Sequence, residues 1–185
     1  MAKKKSLNIL GIVFAALVLV GLVLVIVGMC TGILSYPTFK VGDVEVLKTG
    51  NGSITLFDDV WDVFAKAQEA ADKLNVSSDV TIPSRTFTII AFIVAIVGAV
   101  ALLAHAVLKL LGKDIKLFGL VGGAVAVVGA ILILVAGLVL AGQFNEYPTV
   151  GDGYSAGVGV WLGFIGALVA GASGILSALN VGSKK

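Results

Sequence analysis

Four continuous apolar runs, residues 7–34, 87–111, 117–142 and 156–179, decide what this chain is able to fold into. Each reaches or exceeds the ~20 residues that a helix needs to cross ~30 Å of hydrocarbon. The runs are apolar at consecutive positions, whereas a membrane-barrel strand alternates over ~10 residues, so they are helices. A hydrophobic fraction of 58% against a charged fraction of 13% agrees, because a water-soluble domain of 185 residues needs more polar groups to cover itself. The expected fold is all-α membrane: a four-transmembrane-helix bundle making one integral membrane domain over residues 1–185.

Basic residues outside the runs set an expected topology in the cell membrane. Lys3, Lys4 and Lys5 precede the first run, Lys109, Lys113 and Lys116 flank the turn between the second and third, and Lys184 and Lys185 close the sequence. Only Asp114 opposes them. The other side carries Lys40, Lys48, Lys66, Lys73 and Arg85 against a larger set of acids: Asp43, Glu45, Asp58, Asp59, Asp62, Glu69, Asp72, Asp79, Glu146 and Asp152. Both termini are therefore expected in the cytoplasm and the loops at 36–85 and 143–155 outside. The basic ends are short and lack interleaved aromatics, which suits the headgroups of a lipid bilayer and not nucleic acid. The first run is longer than a signal-peptide core and reads as a retained helix.

Residues 36–85 form the one long polar segment. Tyr36-Pro37 ends the first helix, since the residue before proline is pushed out of helical geometry. Residues 43–48 and 53–57 look extended and are separated by Asn51-Gly52, a strong signal for a β-hairpin. Val60, Trp61, Phe64, Ala67, Ala71 and Leu74 then recur at helical spacing, with charges on the opposite face. The expected loop is a small external β-hairpin plus an amphipathic helix between the first two spans. Asp58, Asp59 and Asp62 suit helix capping better than calcium, because no loop of regular acidic spacing accompanies them. Asn51 and Asn75 each open a short glycosylation sequon.

Glycines are spaced for close helix packing. Gly28 and Gly32 stand four apart near the end of the first run; Gly119 and Gly123 lie in the third; Gly159, Gly163, Gly166, Gly171 and Gly174 lie in the fourth. In lipid no hydrophobic drive pulls helices together, so small residues at such spacing mark contacts within a bundle or between subunits. The first run from Gly11 also aligns with the third from Gly119. Tyr36-Pro37-Thr38 recurs as Tyr147-Pro148-Thr149, and Val41-Gly42-Asp43 as Val150-Gly151-Asp152. The chain reads as a duplicated two-helix hairpin, with a longer insertion in the first copy.

Catalytic machinery is not visible: the sequence has no intramembrane acid, no Cys/His pair, no HExxH and no phosphate loop. No catalytic, cofactor-binding or metal residue is assigned, and no cofactor is expected. Cys30 is the single cysteine, which excludes an internal disulfide. His105 suits packing or an interfacial position, with proton or ligand handling as the alternative. Arg85, at the mouth of the second run, either snorkels to headgroups or pairs with a loop acid, or else locks the external loop onto the helices.

The layout resembles the claudin and peripheral-myelin-protein tetraspans. The residues that carry the likeness are Arg85-Thr86-Phe87 opening the second helix, Gly122-Gly123 in the third, and Trp161-Leu162-Gly163 entering the fourth. That family's first-loop signature, a Trp with Gly-Leu-Trp and paired cysteines, is absent. The resemblance implies a structural protein that meets its partners through the external loop. The expectation is a non-enzymatic tetraspan acting as a homo-oligomer or with other membrane proteins, with Trp61, Phe64 and Arg85 as the external interaction residues. A small transporter or oligomeric channel, and an accessory subunit of a larger membrane complex, are the alternatives.

Overall fold

The computed structural model describes residues 9–36, 40–41, 44–45, 52–73, 85–146 and 153–179. In chain order these form α1 (Ile9–Cys30), β1 (Leu34–Ser35), β2 (Lys40–Val41), β3 (Val44–Glu45), β4 (Ser53–Ile54), α2 (Val60–Lys73), α3 (Thr86–Leu110), α4 (Lys116–Glu146), β5 (Ser155–Ala156) and α5 (Val158–Ala178). Helices α1, α3, α4 and α5 are each long and apolar enough to cross a membrane. The protein is a multi-pass membrane protein built as an all-α four-helix bundle, with small strands and one amphipathic helix forming a cap at one end.

Two of the helices depart from their sequence bounds for physical reasons. α1 stops at Cys30, and Leu34 is already in a strand, because the backbone beyond Gly32 is drawn into a sheet. α4 runs through 31 residues, about 46 Å at ~1.5 Å per residue. That exceeds the ~30 Å hydrocarbon layer, so its last turns stand in the cap. At the opposite, lysine-bearing end, α3 closes with Gly112 at φ 85°. The Gly112 N–H donates to the Lys109 carbonyl and the Lys113 N–H to the Leu108 carbonyl, the paired bonds of a glycine-terminated helix.

The helices pack by backbone approach. A methyl group placed on Gly28 would lie 2.6 Å from the Gly159 carbonyl, and one on Gly21 would lie 2.5 Å from that of Gly166. Across the bundle, the same test on Gly129 meets the Ala95 backbone at 2.6 Å. α1 therefore lies along α5 as α4 lies along α3. Gly21 and Gly129 stand at equal offsets from Gly11 and Gly119, and each is a point of near-contact in its own pair. This exchange-symmetric pairing is the arrangement that a duplicated hairpin produces.

The strands tie α1 to α5 outside the hydrocarbon. β1 is the centre of a three-stranded antiparallel sheet, in the order β4-β1-β5. Leu34 faces Ile54 on one side and Ala156 on the other. A separate hairpin joins β2 to β3, with Lys40 opposite Glu45. The strand at Ser53 thus pairs with the chain leaving α1, and the strand at Val44 pairs with β2, so the expected pairing of 43–48 with 53–57 is replaced. The reason is local: Gly52 has φ 57°, and its carbonyl accepts from the Tyr36 N–H at 2.9 Å, turning β4 toward β1.

Candidate functional site

The cap is the most densely organised part of the chain outside the bundle. α2 opens after a turn in which the Asp58 carboxylate accepts the Thr55 N–H at 2.6 Å. Asp58 therefore braces the turn ahead of the helix, and Asp62 supplies the acidic charge in its first turn. The Trp61 indole N–H donates to the Thr55 carbonyl at 2.7 Å, which fixes the ring in place.

Trp61 and Phe64 are only 4% and 6% exposed. Both meet Phe144 edge to face, with ring centroids 5.8 Å and 5.3 Å apart. Phe144 in turn stacks at a tilt on Tyr154, 5.1 Å away, and Tyr154 on Tyr36 at 5.6 Å. This corrects the expectation that Trp61 and Phe64 form an outward contact stripe. Their apolar face is covered by the protein's own α4, whose extra turns reach up to receive it. What α2 presents outward is its polar face, including the Glu69–Lys73 ion pair at 2.7 Å.

Arg85 joins the cap to the bundle. Its guanidinium donates to the Leu56 carbonyl at 2.7 Å, so the residue preceding α3 grips the turn preceding α2. A cation at a helix N-terminus is unfavourable for the helix dipole, and this bond offsets that cost. On the other side of the cap, the Asn145 side chain accepts the N–H groups of Gly153 and Tyr154 and donates to the Tyr154 carbonyl. Burial and the neighbouring Tyr36 push the Tyr154 phenol up.

The glycines expected at packing positions have distinct neighbours. Gly28 and Gly159 face each other, and Gly166 faces Gly21. Gly123 and Gly171 bring α4 and α5 together, Gly163 receives the Phe92 ring, and Gly174 receives Leu102. Gly119 makes room for the His105 ring and for Ala178. Gly32 lies beyond α1; its carbonyl accepts the Gly159 N–H at 2.8 Å, and Ser53 stands where its side chain would be.

His105 is 1% exposed, and neither ring nitrogen makes a hydrogen bond of normal geometry among the described residues. One turn on, Lys109 donates to the carbonyl and hydroxyl of Ser177 in the last turn of α5, which suits a cation at a helix C-terminus. Cys30 is exposed and free. Asn51 and Asn75 lie outside the described residues.

Phe144, Asn145 and Tyr154 were missed as organising residues because residues 143–155 read as a short loop. The signal was present: Ile133, Ala136, Leu140 and Phe144 continue one helical face past residue 142.

A family model described as bacteriophage holin matches residues 86–149, which is the α3–α4 hairpin and little else. Neither a curated protein nor a solved structure matches the chain. The chain is thus a four-helix membrane protein of which about a third is similar to bacteriophage holin.

Proposed function

We propose that this protein is a non-enzymatic membrane component that works by lateral assembly, and that any passage it makes for solute lies between chains. The observation that carries this reading is the filled interior of the single bundle. Phe92, Ile133, Leu140 and Val160, from α3, α4 and α5, are fully buried within the bundle. Thr88, His105, Ser173 and Ser177 are the buried polar side chains among the described residues, and they do not form a lane from end to end. The α3–α4 match supports the reading, because holins form oligomeric membrane pores.

A scaffold without conductance is the second reading. It draws on the layout of four spans with a longer first loop and on a cap that fixes all four helices. Both termini would then face the cytoplasm of a cell membrane, and partners would meet the polar outer face of α2.

Liposomes loaded with dyes of graded size separate the two. Release that rises more steeply than protein density, with particles larger than one chain in mild detergent, is the expected result. Large particles without release would favour the scaffold. Single-chain particles without release would overturn both.

A further inference from the structure

The space between α3 and α4 holds a groove that the bundle itself leaves open. Its volume is about 330 Å³. Val97 and Ala101 of α3 and Phe118, Val121 and Val125 of α4 form the walls, and the wall surface is wholly apolar. Gly98 and Gly122 also line it; a methyl group on Gly98 would lie 2.5 Å from the Ala126 backbone, so the two helices close tightly beside the groove. Val97, Phe118 and Val121 are about half exposed, so the groove opens sideways toward lipid.

Its long axis follows the first turns of α4. From Lys116 to Val125 is about 14 Å at ~1.5 Å per residue. This matches one leaflet, half of the ~30 Å hydrocarbon layer. Leu117 marks the end of the groove at the lysine-bearing turn. Lys113 and Lys116 stand exposed there, with exposed Asp114 between them as the one opposing charge.

We infer that this groove holds one acyl chain of an anionic phospholipid, whose phosphate lies at Lys113 and Lys116. An apolar slot one leaflet deep with two cations at its mouth has the chemistry of a charged lipid. A helix of a second copy would place apolar side chains against those lysines. Basic pockets between spanning helices select anionic headgroups by this combination. The inference is independent of whether the assembly conducts.

The test is native mass spectrometry of the full chain in mild detergent, with phosphatidylglycerol and phosphatidylcholine of identical acyl chains added in competition. The wild type should retain phosphatidylglycerol preferentially. Lys113→Gln with Lys116→Gln should reduce that preference by about fivefold per lysine while leaving a lipid bound. Ala101→Phe should fill the slot and lose both lipids with the number of chains per particle unchanged. Val121→Trp, at an exposed rim position, repeats that test if Ala101→Phe does not fold. Unchanged preference in the lysine variant, or lipid retained in both filled variants, would overturn the proposal. A fall in the number of chains per particle on filling the groove would show that a second copy occupies it, and would overturn the proposal too.

Discussion

The indole of Trp61 meets the ring of Phe144 edge to face, centroids 5.8 Å apart and planes at 82°. This contact joins a helix outside the hydrocarbon to the last turn of a helix that crosses it. It turns the cap and the bundle into one packed unit, since Trp61, Phe64 and Phe144 belong to the same buried cluster as Phe92 and Ile133.

Replacing Trp61 or Phe144 with Ala should therefore destabilise the whole protein, each by about 3–5 kcal/mol. A double-mutant cycle should show about 0.5–1.5 kcal/mol of coupling from the aromatic pair. Reversible unfolding in detergent micelles measures both. Independent melting of cap and bundle would contradict the account.

Arg85→Gln should loosen the cap without unfolding the helices. The lost bond to the Leu56 carbonyl is charge-assisted, in the range of about 1.5–3 kcal/mol. Hydrogen exchange at Leu56 and Phe57 should speed up, and that within α4 should hold. Equal acceleration in both would mean that Arg85 supports the bundle as a whole.

Most of the bundle was legible in the sequence, because a bilayer permits one solution to continuous apolar runs of this length. Glycine spacing also marked the contact faces. What was not legible is which surface each face meets. Gly28 is compatible with a contact inside the chain or between chains, and only the fold puts Gly159 opposite it. Trp61 and Phe64 read correctly as one helix face, but the cover for that face lies some eighty residues later in sequence, where α4 overruns the membrane. Asn51-Gly52 signalled a turn, but not that the strand after it pairs with β1, which leaves α1 some twenty residues earlier.

Gly28→Leu tests the close approach of α1 and α5. The Gly159 carbonyl and the Gly163 backbone occupy the space a side chain needs, and backbone cannot give way as a flexible side chain does. The cost should reach or exceed the ~1–3 kcal/mol of ordinary overpacking. Gly142→Leu is the control, because nothing lies within 4 Å of a side chain there. Thermal stability in detergent should fall for the first and hold for the second.

Tyr154 makes stability fall at alkaline pH. With its folded pKa raised, the native state holds the phenolic proton more tightly than the unfolded chain does. Its contribution is whole below the ordinary phenol value of about 10 and is lost as pH rises through the raised value. Tyr154→Phe should remove that part of the alkaline decline. Identical pH–stability curves for the two proteins above pH 9 would rule it out.

His105 sets a buried polar ring in the bundle, with neither nitrogen in a hydrogen bond of normal geometry among the described residues. Such a group costs about 1–3 kcal/mol relative to an apolar side chain of similar shape. His105→Leu should consequently melt higher than wild type, provided that the side chain still clears Gly119, whose added methyl would lie 2.8 Å from Nε2. The same variant discriminates function. Dye release from liposomes that survives His105→Leu gives the residue a packing role, and the passage then owes nothing to a protonatable group inside the bundle. Release that is abolished while the protein melts higher assigns His105 to the conducting state, since stability and activity would then have moved in opposite directions.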